Sequence, residues 1–232
     1  MDGRNAPPEQ PGSRPPYTFH LTPHTVQLSL FGATGRVGTR LLEYALAEGH
    51  AVRALARDAG KLAPRHGLEV IVGDVLDPKA VASAIIGTDA MLSAIGGAGL
   101  ADPGVAQSQG MRNIVAAMQT LGVRRLLAVA GSGILDAPGG GLRHDQPGFP
   151  EVFKAVSLRH MEAWHAMRDS DLDWTMVCTG DIEPGERTGV YRTRDEMLPQ
   201  GARTISVENV ADFMLKEMTA NAHLRRRVGL GY

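Results

Sequence analysis

The sequence is poor in cysteine and has no long apolar run. Its 232 residues contain one cysteine, Cys178, which excludes an intramolecular disulfide and a cysteine-rich zinc site and suits a reducing compartment. No segment approaches the roughly 18 uninterrupted apolar residues of a membrane helix, and the N-terminal residues lack the apolar core of a secretory signal. We therefore expect a cytoplasmic protein with no membrane partner.

The chain also lacks an excess of charge of either sign. Its formal net charge is -1 and 43% of its residues are hydrophobic, which is enough for one buried core and too little positive charge for a typical nucleic-acid-binding protein. The one local basic run, at residues 225–227, is interpreted as the solvated end of a helix. His160 and His165 are five positions apart, which does not align them on one helix face. The sequence predicts neither a nucleic-acid partner nor a metal site.

Residues 1–25 differ in composition from the rest of the chain. Prolines crowd there among polar residues, and no sustained apolar run interrupts them. Such a segment cannot bury enough apolar surface to fold by itself. The composition predicts a flexible tail at 1–25, followed by a single folded domain at 26–232.

Three glycines directly follow the first strand-like segment, residues 26–31. Gly32, Gly35 and Gly38 then lead into apolar residues at helical spacing. In a strand, glycine turn and helix of this kind, the first glycine permits the tight bend and the second lets the backbone approach a pyrophosphate. The third lets the helix pack closely on the strand, and the phosphates bind free N–H groups at the helix N-terminus. The pattern predicts a dinucleotide site.

A cationic residue follows the second predicted strand, residues 51–56. Arg57 lies about 20 residues past the glycine turn, where an NAD-binding unit usually has an acidic residue. An arginine there accommodates a 2′-phosphate that a carboxylate would repel, so the sequence favours NADP(H) over NAD. The alternative interpretation is a solvated residue before Asp58, which would cap the next turn.

Apolar strands alternate with helices along the rest of the chain. The further strands are predicted at 68–72, 90–95, 125–130 and 174–177, and the further helices begin at Asp77-Pro78 or cover 105–121, 153–167 and 207–218. This order predicts a Rossmann-type α/β fold, a single domain whose parallel sheet is covered by helices on both faces. Ligands bind beyond the carboxyl ends of such strands. The irregular residues around 179–203 are expected to form a substrate lid there.

Several segments together resemble the atypical short-chain dehydrogenases of the NAD(P)H-binding, NmrA-like group, and within it the NADPH-dependent flavin reductases. The resemblance covers residues 26–232. The matching segments are Gly32-Ala33-Thr34-Gly35, Arg57-Asp58, Gly73-Asp74-Val75, the helix from Arg112 to Met118, and Thr188-Gly189-Val190-Tyr191.

The resemblance implies roles for individual residues on the cofactor side. The pyrophosphate would be held by Gly32, Thr34, Gly35, Arg36 and Val37, the 2′-phosphate by Arg57, the adenine by Asp74 and Val75, and the ribose near nicotinamide by Ala94, Ile95 and Gly96. The glycines that begin at Gly96 could also form a plain flexible turn.

On the substrate side, the resemblance is less complete. The serine of the family falls on or beside Gly131, so Ser132 is the candidate one residue later. His160 matches one histidine of the family, whereas the second histidine is replaced by Asp181. A carboxylate lining that pocket is expected to disfavour an anionic tetrapyrrole through desolvation and like-charge repulsion.

The chain has no tyrosine followed four residues later by a lysine, the acid–base pair of conventional short-chain dehydrogenases. Alcohol oxidation and sugar epimerisation are therefore disfavoured. A flavin or quinone delocalises the charge that a hydride delivers, so orientation is enough. We predict an NADPH-dependent reductase of such an acceptor, a monomer or homodimer, with Ser132 bonding nicotinamide or acceptor and His160 or Asp181 relaying a proton.

Three alternatives stay open at this point. Ser132 could be a turn hydroxyl at a strand end, and His160 could be a helix residue whose ring is satisfied by a neighbour. The whole protein could also be a non-catalytic redox sensor that binds NADP(H).

Overall fold

The computed structural model describes residues 25–232, so the tail predicted at 1–25 lies outside the described residues except for its last position. The strands are β1 (Gln27–Phe31), β2 (Ala51–Ala56), β3 (Leu68–Val72), β4 (Ala90–Ser93), β5 (Arg125–Gly131), β6 (Asp173–Thr179), β7 (Asp181–Glu183), β8 (Arg192–Asp195), β9 (Thr204–Ser206) and β10 (Arg226–Gly231). The helices are α1 (Arg36–Ala47), α2 (Pro78–Ile85), α3 (Ser108–Leu121), α4 (Lys154–Arg168) and α5 (Val207–Ala220).

Eight strands form the central sheet in the order β3-β2-β1-β4-β5-β6-β10-β8. All neighbours pair in parallel except β8, which is antiparallel to β10. The chain runs outward from β1 to β3 and then crosses back to β4, so the connections diverge at the carboxyl ends of β1 and β4. In open parallel sheets, this point of divergence is where ligands bind.

Helices cover both faces of the sheet. α1 and α5 enclose one apolar core with side chains such as Leu41 and Met214, and α2, α3 and α4 enclose the other with side chains such as Ile114 and Met167. The predicted Rossmann-type α/β domain is confirmed, and the first six strands begin and end within a few residues of their predicted bounds. No helix within 25–232 is long and apolar enough to cross a membrane.

The interpretation of residues 225–227 as a helix end is wrong. Helix α5 ends at Ala220 with Asn221 in the left-handed conformation, and Arg226 begins strand β10. Arg227 is buried and pairs with Glu196 at 2.7 Å and with Asp136 at 2.8 Å. Its guanidinium also lies 4.1 Å from the centre of the Trp164 ring. The basic run therefore supplies an internal cation that holds β10 against two loops.

A second buried ion pair joins α5 to the sheet at the amino ends of the strands. Arg125, the first residue of β5, donates to Glu217 at 3.0 Å, and the two side chains are 10% and 2% exposed. Burial lowers the pKa of Arg125, and the negative charge of Glu217 opposes that shift. The Glu217 carboxylate also accepts the backbone N–H of His223 at 2.9 Å. One carboxylate thus connects the end of α5 to β5.

Hydrogen bonds attach residues 184–191 to α5. The Asn209 side-chain oxygen accepts the backbone N–H groups of Thr188 and Gly189, both at 3.0 Å. The buried Asp212 carboxylate accepts from Arg187 and from the Tyr191 hydroxyl, both at 2.8 Å. This part of the predicted lid is fixed along a helix.

Candidate functional site

A cavity of about 600 Å³ opens at the carboxyl ends of the central strands. The glycine turn after β1 lines one end of it. The connection between β5 and α4 lines the other end, and residues on both sides of β7 form a third wall. Its position agrees with the rule that ligands of an open parallel sheet collect where the connections diverge.

Two of the three glycines in the turn are required by the fold itself. Gly32 has a φ of +83°, and a Cβ on it would overlap the Ala94 carbonyl oxygen. A Cβ on Gly38 would overlap the Gly32 carbonyl oxygen, because α1 lies so close to β1. The bend and the close packing predicted for these two glycines are confirmed.

Gly35 differs, because it is exposed and lines the cavity. It precedes α1 in an extended conformation, with φ -83° and ψ 170°, and no side chain caps the helix. An added Cβ would lie 3.3 Å from the Gly32 carbonyl oxygen, close but not overlapping. The first N–H groups of α1 are therefore uncapped by side chains, the arrangement that binds phosphate groups at helix N-termini.

The predicted site residues divide into two sets. Nine of them line the cavity: Gly35, Arg36, Val37, Ala94, Ile95, Gly96, Ser132, His160 and Asp181. The other five lie outside its lining: Gly32, Thr34, Arg57, Asp74 and Val75. Because Arg57 directly follows β2 and Asp74 closely follows β3, the predicted adenine end of the site lies outside the cavity, along the carboxyl ends of the strands toward β3.

The residues beyond β2 and β3 are held in defined positions. The Val75 carbonyl accepts from the Asn113 side chain at 2.9 Å, and the Asp74 carboxylate accepts the N–H of Leu76. Asp58 caps the following turn through a 2.9 Å bond from Gly60 N–H, the role that the alternative interpretation of this segment gave it. Arg57 is exposed, and its guanidinium makes no hydrogen bond or ion pair to any other residue of the described chain.

His160 on α4 lies under the end of β5, and both of its ring nitrogens are engaged. Nδ1 accepts the backbone N–H of Gly131 at 3.1 Å, so in the neutral ring the proton is on Nε2. Nε2 lies 2.8 Å from the Gln107 amide, whose own oxygen is buried without a partner. Turning the amide so that Oε1 faces the ring gives the ring N–H an acceptor. His160 is thus a neutral Nε2–H tautomer that donates its one proton to Gln107.

Burial lowers the pKa of His160 from 6.5 to about 4. Between these values the unfolded chain binds a proton that the folded chain does not, so stability falls as the pH is lowered from 6.5 toward 4. The loss is about 2 kcal/mol at pH 5. We expect urea denaturation to show this loss in the native protein and a smaller one in His160→Gln. Titration of the ring near pH 6.5 by NMR would contradict the neutral assignment.

Ser132 and Asp181 both line the cavity, just beyond the ends of the neighbouring strands β5 and β6. Ser132 begins a single 3-10 turn, Ser132–Ile134, directly after β5. Asp181 begins β7, is exposed, and donates its backbone N–H to the Arg203 carbonyl. The Arg36 guanidinium bonds the Ile182 carbonyl at 2.9 Å, so the glycine turn and β7 are tied together across the cavity.

Several lining residues were missed by the sequence analysis. Arg143, Phe149 and Phe153 come from the long connection between β5 and α4, and Arg203 precedes β9. Together with Arg36, three arginines and one carboxylate therefore line the cavity, so its charge is positive overall. The expectation that Asp181 repels anionic ligands considered only one of these four charges. The length of the connection between β5 and α4 could have indicated Arg143, Phe149 and Phe153, since long loops in compact domains are often functional.

The conventional dehydrogenase pair does not occur in this cavity. Within 25–232, neither the tyrosines nor the lysines line it. Tyr191 is committed to Asp212, and burial raises the pKa of its hydroxyl. The same residues contain no group of three or more His, Cys, Asp or Glu side chains that could hold a metal ion.

Solved structures of similar proteins cover nearly the whole described chain. A Burkholderia pseudomallei protein described as exported is 32% identical, with a TM-score of 0.79 over 90% of this chain and 100% of that one. A Streptococcus pneumoniae protein described as a candidate NADH-flavin reductase is 25% identical, with a TM-score of 0.77 over 89% of this chain and 99% of that one. The anaerobilin reductase ChuY of Escherichia coli O157:H7 is 26% identical, with a TM-score of 0.71 over 88% of this chain and 96% of that one.

A family model described as NAD(P)H-binding matches residues 32–221, which include the glycine turn and every residue that lines the cavity. These residues make up well over half of the chain. The protein belongs to the NAD(P)H-binding family and has the Rossmann-type fold of the atypical short-chain dehydrogenases.

Proposed function

We propose that the protein is an NADPH-dependent reductase that transfers a hydride to a conjugated acceptor such as a flavin or a quinone. The observation that carries the proposal is that a single cavity joins the glycine turn to a chamber with aromatic walls. A dinucleotide bound at Gly35 would thus extend toward a second, flat molecule in the same space. The predicted cytoplasmic location, and the monomer or homodimer, remain predictions.

The residues at the turn fit a dinucleotide. The uncapped end of α1 and the exposed Gly35 leave room for a pyrophosphate, and Gly96 beyond β4 has no atom within 4 Å of where its Cβ would be. Open space at a glycine that lines the cavity suits the close approach of a ribose. When bound, NADPH supplies a hydride, and the remaining task of the protein is to position the acceptor.

The acceptor end is built for stacking and for excluding water. Phe149, Phe153 and Val156 form an apolar wall beside Ser132. We place the hydrogen bond to nicotinamide or acceptor on the Ser132 hydroxyl. His160 donates its proton to Gln107, so a proton from water, or one relayed by Asp181, fits the geometry better than one from His160. Holding a flat ring against the cofactor is enough for hydride transfer to a conjugated acceptor.

Two relatives support this class of acceptor by their names. The Streptococcus pneumoniae protein is described as a candidate flavin reductase, and the Escherichia coli protein as an anaerobilin reductase. Both names refer to reduction of a conjugated compound. Because the first is named for NADH, the choice between NADH and NADPH has to be measured directly.

The test is NADPH oxidation, followed by its near-ultraviolet absorbance, with riboflavin, flavin mononucleotide and menadione as acceptors. We expect turnover with at least one of them that depends on the protein. Tight NADPH binding without oxidation of NADPH by any acceptor would reject the reductase and favour the redox sensor.

We expect NADPH to bind more tightly than NADH, because Arg57 is free to receive a 2′-phosphate at the end of β2. Arg57→Glu should weaken NADPH binding by roughly tenfold or more, the value of a charge-assisted bond to phosphate, and should leave NADH affinity nearly unchanged. Isothermal titration of both cofactors measures the difference. Arg65→Glu, an exposed charge reversal before β3, is the matched control. Equal affinities of the native protein for the two cofactors would refute the assignment.

A further inference from the structure

Arg143 has a buried donor that nothing in the described chain satisfies. Its Nε is inaccessible to water and has no hydrogen-bond partner, and its guanidinium makes no ion pair within residues 25–232. The buried arginines of the sheet differ, because Nε of Arg125 bonds the Met218 carbonyl and Nε of Arg227 bonds Glu196. A buried donor without a partner costs free energy, so its retention calls for an explanation.

The backbone around Arg143 is held from two sides. Its own N–H donates to the Leu135 carbonyl at 2.8 Å. The next residue, His144, is buried and bonds the Ser157 hydroxyl of α4 at 2.8 Å. The backbone of Arg143 is therefore fixed, and its side chain lines the cavity together with Phe149 and Phe153. Fixed supports of this kind are what hold a ligand-contacting side chain in place.

We propose that Arg143 contacts the acceptor, donating a hydrogen bond to an electron-rich atom of its conjugated ring and stabilising the negative charge that the ring gains. The inference rests on the proposed reductase function. Arg143 lines the cavity, and its two Nη groups make no hydrogen bond within residues 25–232, so a carbonyl oxygen of a flavin or quinone bound there accepts from them. The site thus selects conjugated carbonyl compounds rather than apolar aromatic molecules.

The chemistry balances without another oxidant or reductant. The C–H bond at the reduced nicotinamide breaks, a new bond to hydrogen forms on the acceptor, and the electron pair moves with the hydrogen. The acceptor gains one negative charge, which a proton from water later neutralises. An arginine keeps its own proton, so Arg143 acts through its charge and its hydrogen bond.

The experiment compares Arg143→Gln and Arg143→Lys with the native protein, using riboflavin and menadione as uncharged acceptors and flavin mononucleotide as a charged one. Riboflavin binding in the presence of NADP⁺ is measured separately by fluorescence quenching. We expect Arg143→Gln to lower kcat/KM for both uncharged acceptors by roughly ten- to hundredfold, the effect of losing a charge-assisted bond. Riboflavin affinity should fall, and NADPH affinity should not change.

Arg143→Lys keeps the positive charge but loses the planar guanidinium donor. Compared with Arg143→Gln, it should therefore restore kcat more fully than it restores riboflavin affinity. The melting temperature of Arg143→Gln should equal or exceed that of the native protein, because no bond of the folded chain is lost. A lower melting temperature with normal riboflavin affinity would make the residue structural. Arg65→Gln, exposed at the opposite end of the sheet, is the control for loss of a surface charge.

Activity of Arg143→Gln within twofold of native, or a loss confined to flavin mononucleotide, would overturn the contact with the ring. A different result would reject the reductase proposal: the native protein would bind riboflavin but oxidise no NADPH. In that case the riboflavin affinities from fluorescence quenching alone decide whether Arg143 contacts the ring. If the native protein neither binds nor reduces any of the three acceptors, both proposals fall.

Discussion

Replacing Gly35 by valine is expected to weaken NADPH binding by roughly a hundredfold or more while the domain stays folded. The branched side chain would occupy the space at the start of α1 where the pyrophosphate approaches the backbone. Losing two charge-assisted phosphate bonds accounts for an effect of this size. Valine is compatible with the extended backbone at this position, and its Cβ would lie 3.3 Å from the Gly32 carbonyl oxygen, a contact that a small shift relieves. Titration calorimetry measures the affinity for NADPH, and circular dichroism shows whether the variant is folded.

Two other glycines supply the comparison. Neither Gly96 nor Gly139 has any atom within 4 Å of an added Cβ, and only Gly96 lines the cavity. Gly96→Val should weaken NADPH binding by direct occlusion, whereas Gly139→Val should leave it unchanged. A folded Gly35→Val protein that binds NADPH normally would remove the glycine turn from the site.

Removal of the Glu217 carboxylate is expected to lower the free energy of unfolding by about 3–5 kcal/mol, because Glu217→Ala leaves the buried Arg125 guanidinium without its counter-charge. The same change leaves the N–H of His223 without its acceptor after α5. Urea denaturation of the variant measures the loss. This ion pair lies at the amino ends of the strands, far from the cavity, so the folded variant should keep its NADPH affinity.

An exposed ion pair provides the matched control for this variant. Glu151 is 83% exposed and pairs with Lys154 at 2.9 Å. Glu151→Ala should cost less than about 0.5 kcal/mol, as is usual for surface pairs. If Glu217→Ala and Glu151→Ala lowered the free energy of unfolding equally, burial would not be what makes the Arg125–Glu217 pair stabilising.

The features that the sequence predicted well are local ones. Gly32 bends the chain directly after β1 with a φ of +83°, Gly38 packs on Gly32 six positions before it, and Asp58 caps a turn two residues away. The alternation of strands and helices predicted the fold for the same reason, since each element carries its own periodicity. The part of the cavity that the glycine turn lines could therefore be located from the sequence.

The features that were missed depend on partners distant in the chain. Arg227 is an internal cation only because Glu196 and Asp136 converge on it, and no local pattern indicates that. The protonation of His160 is fixed by Gln107 and Gly131, which come from two other elements. Arg143 belongs to a connection without periodicity, so its entry into the cavity is decided by tertiary packing.

Cys178 lies on β6 with no exposed surface, and burial raises the pKa of its thiol well above the ordinary value. Thiol-directed dyes react with the thiolate, so the native chain should stay unlabelled at neutral pH while it is folded. A cysteine introduced at Val190, which is 75% exposed, would then be the single reactive position in the described domain. One fluorophore could thus be attached to the folded protein beside α5 without removing Cys178. Its fluorescence would then report ligand binding or unfolding from a known position.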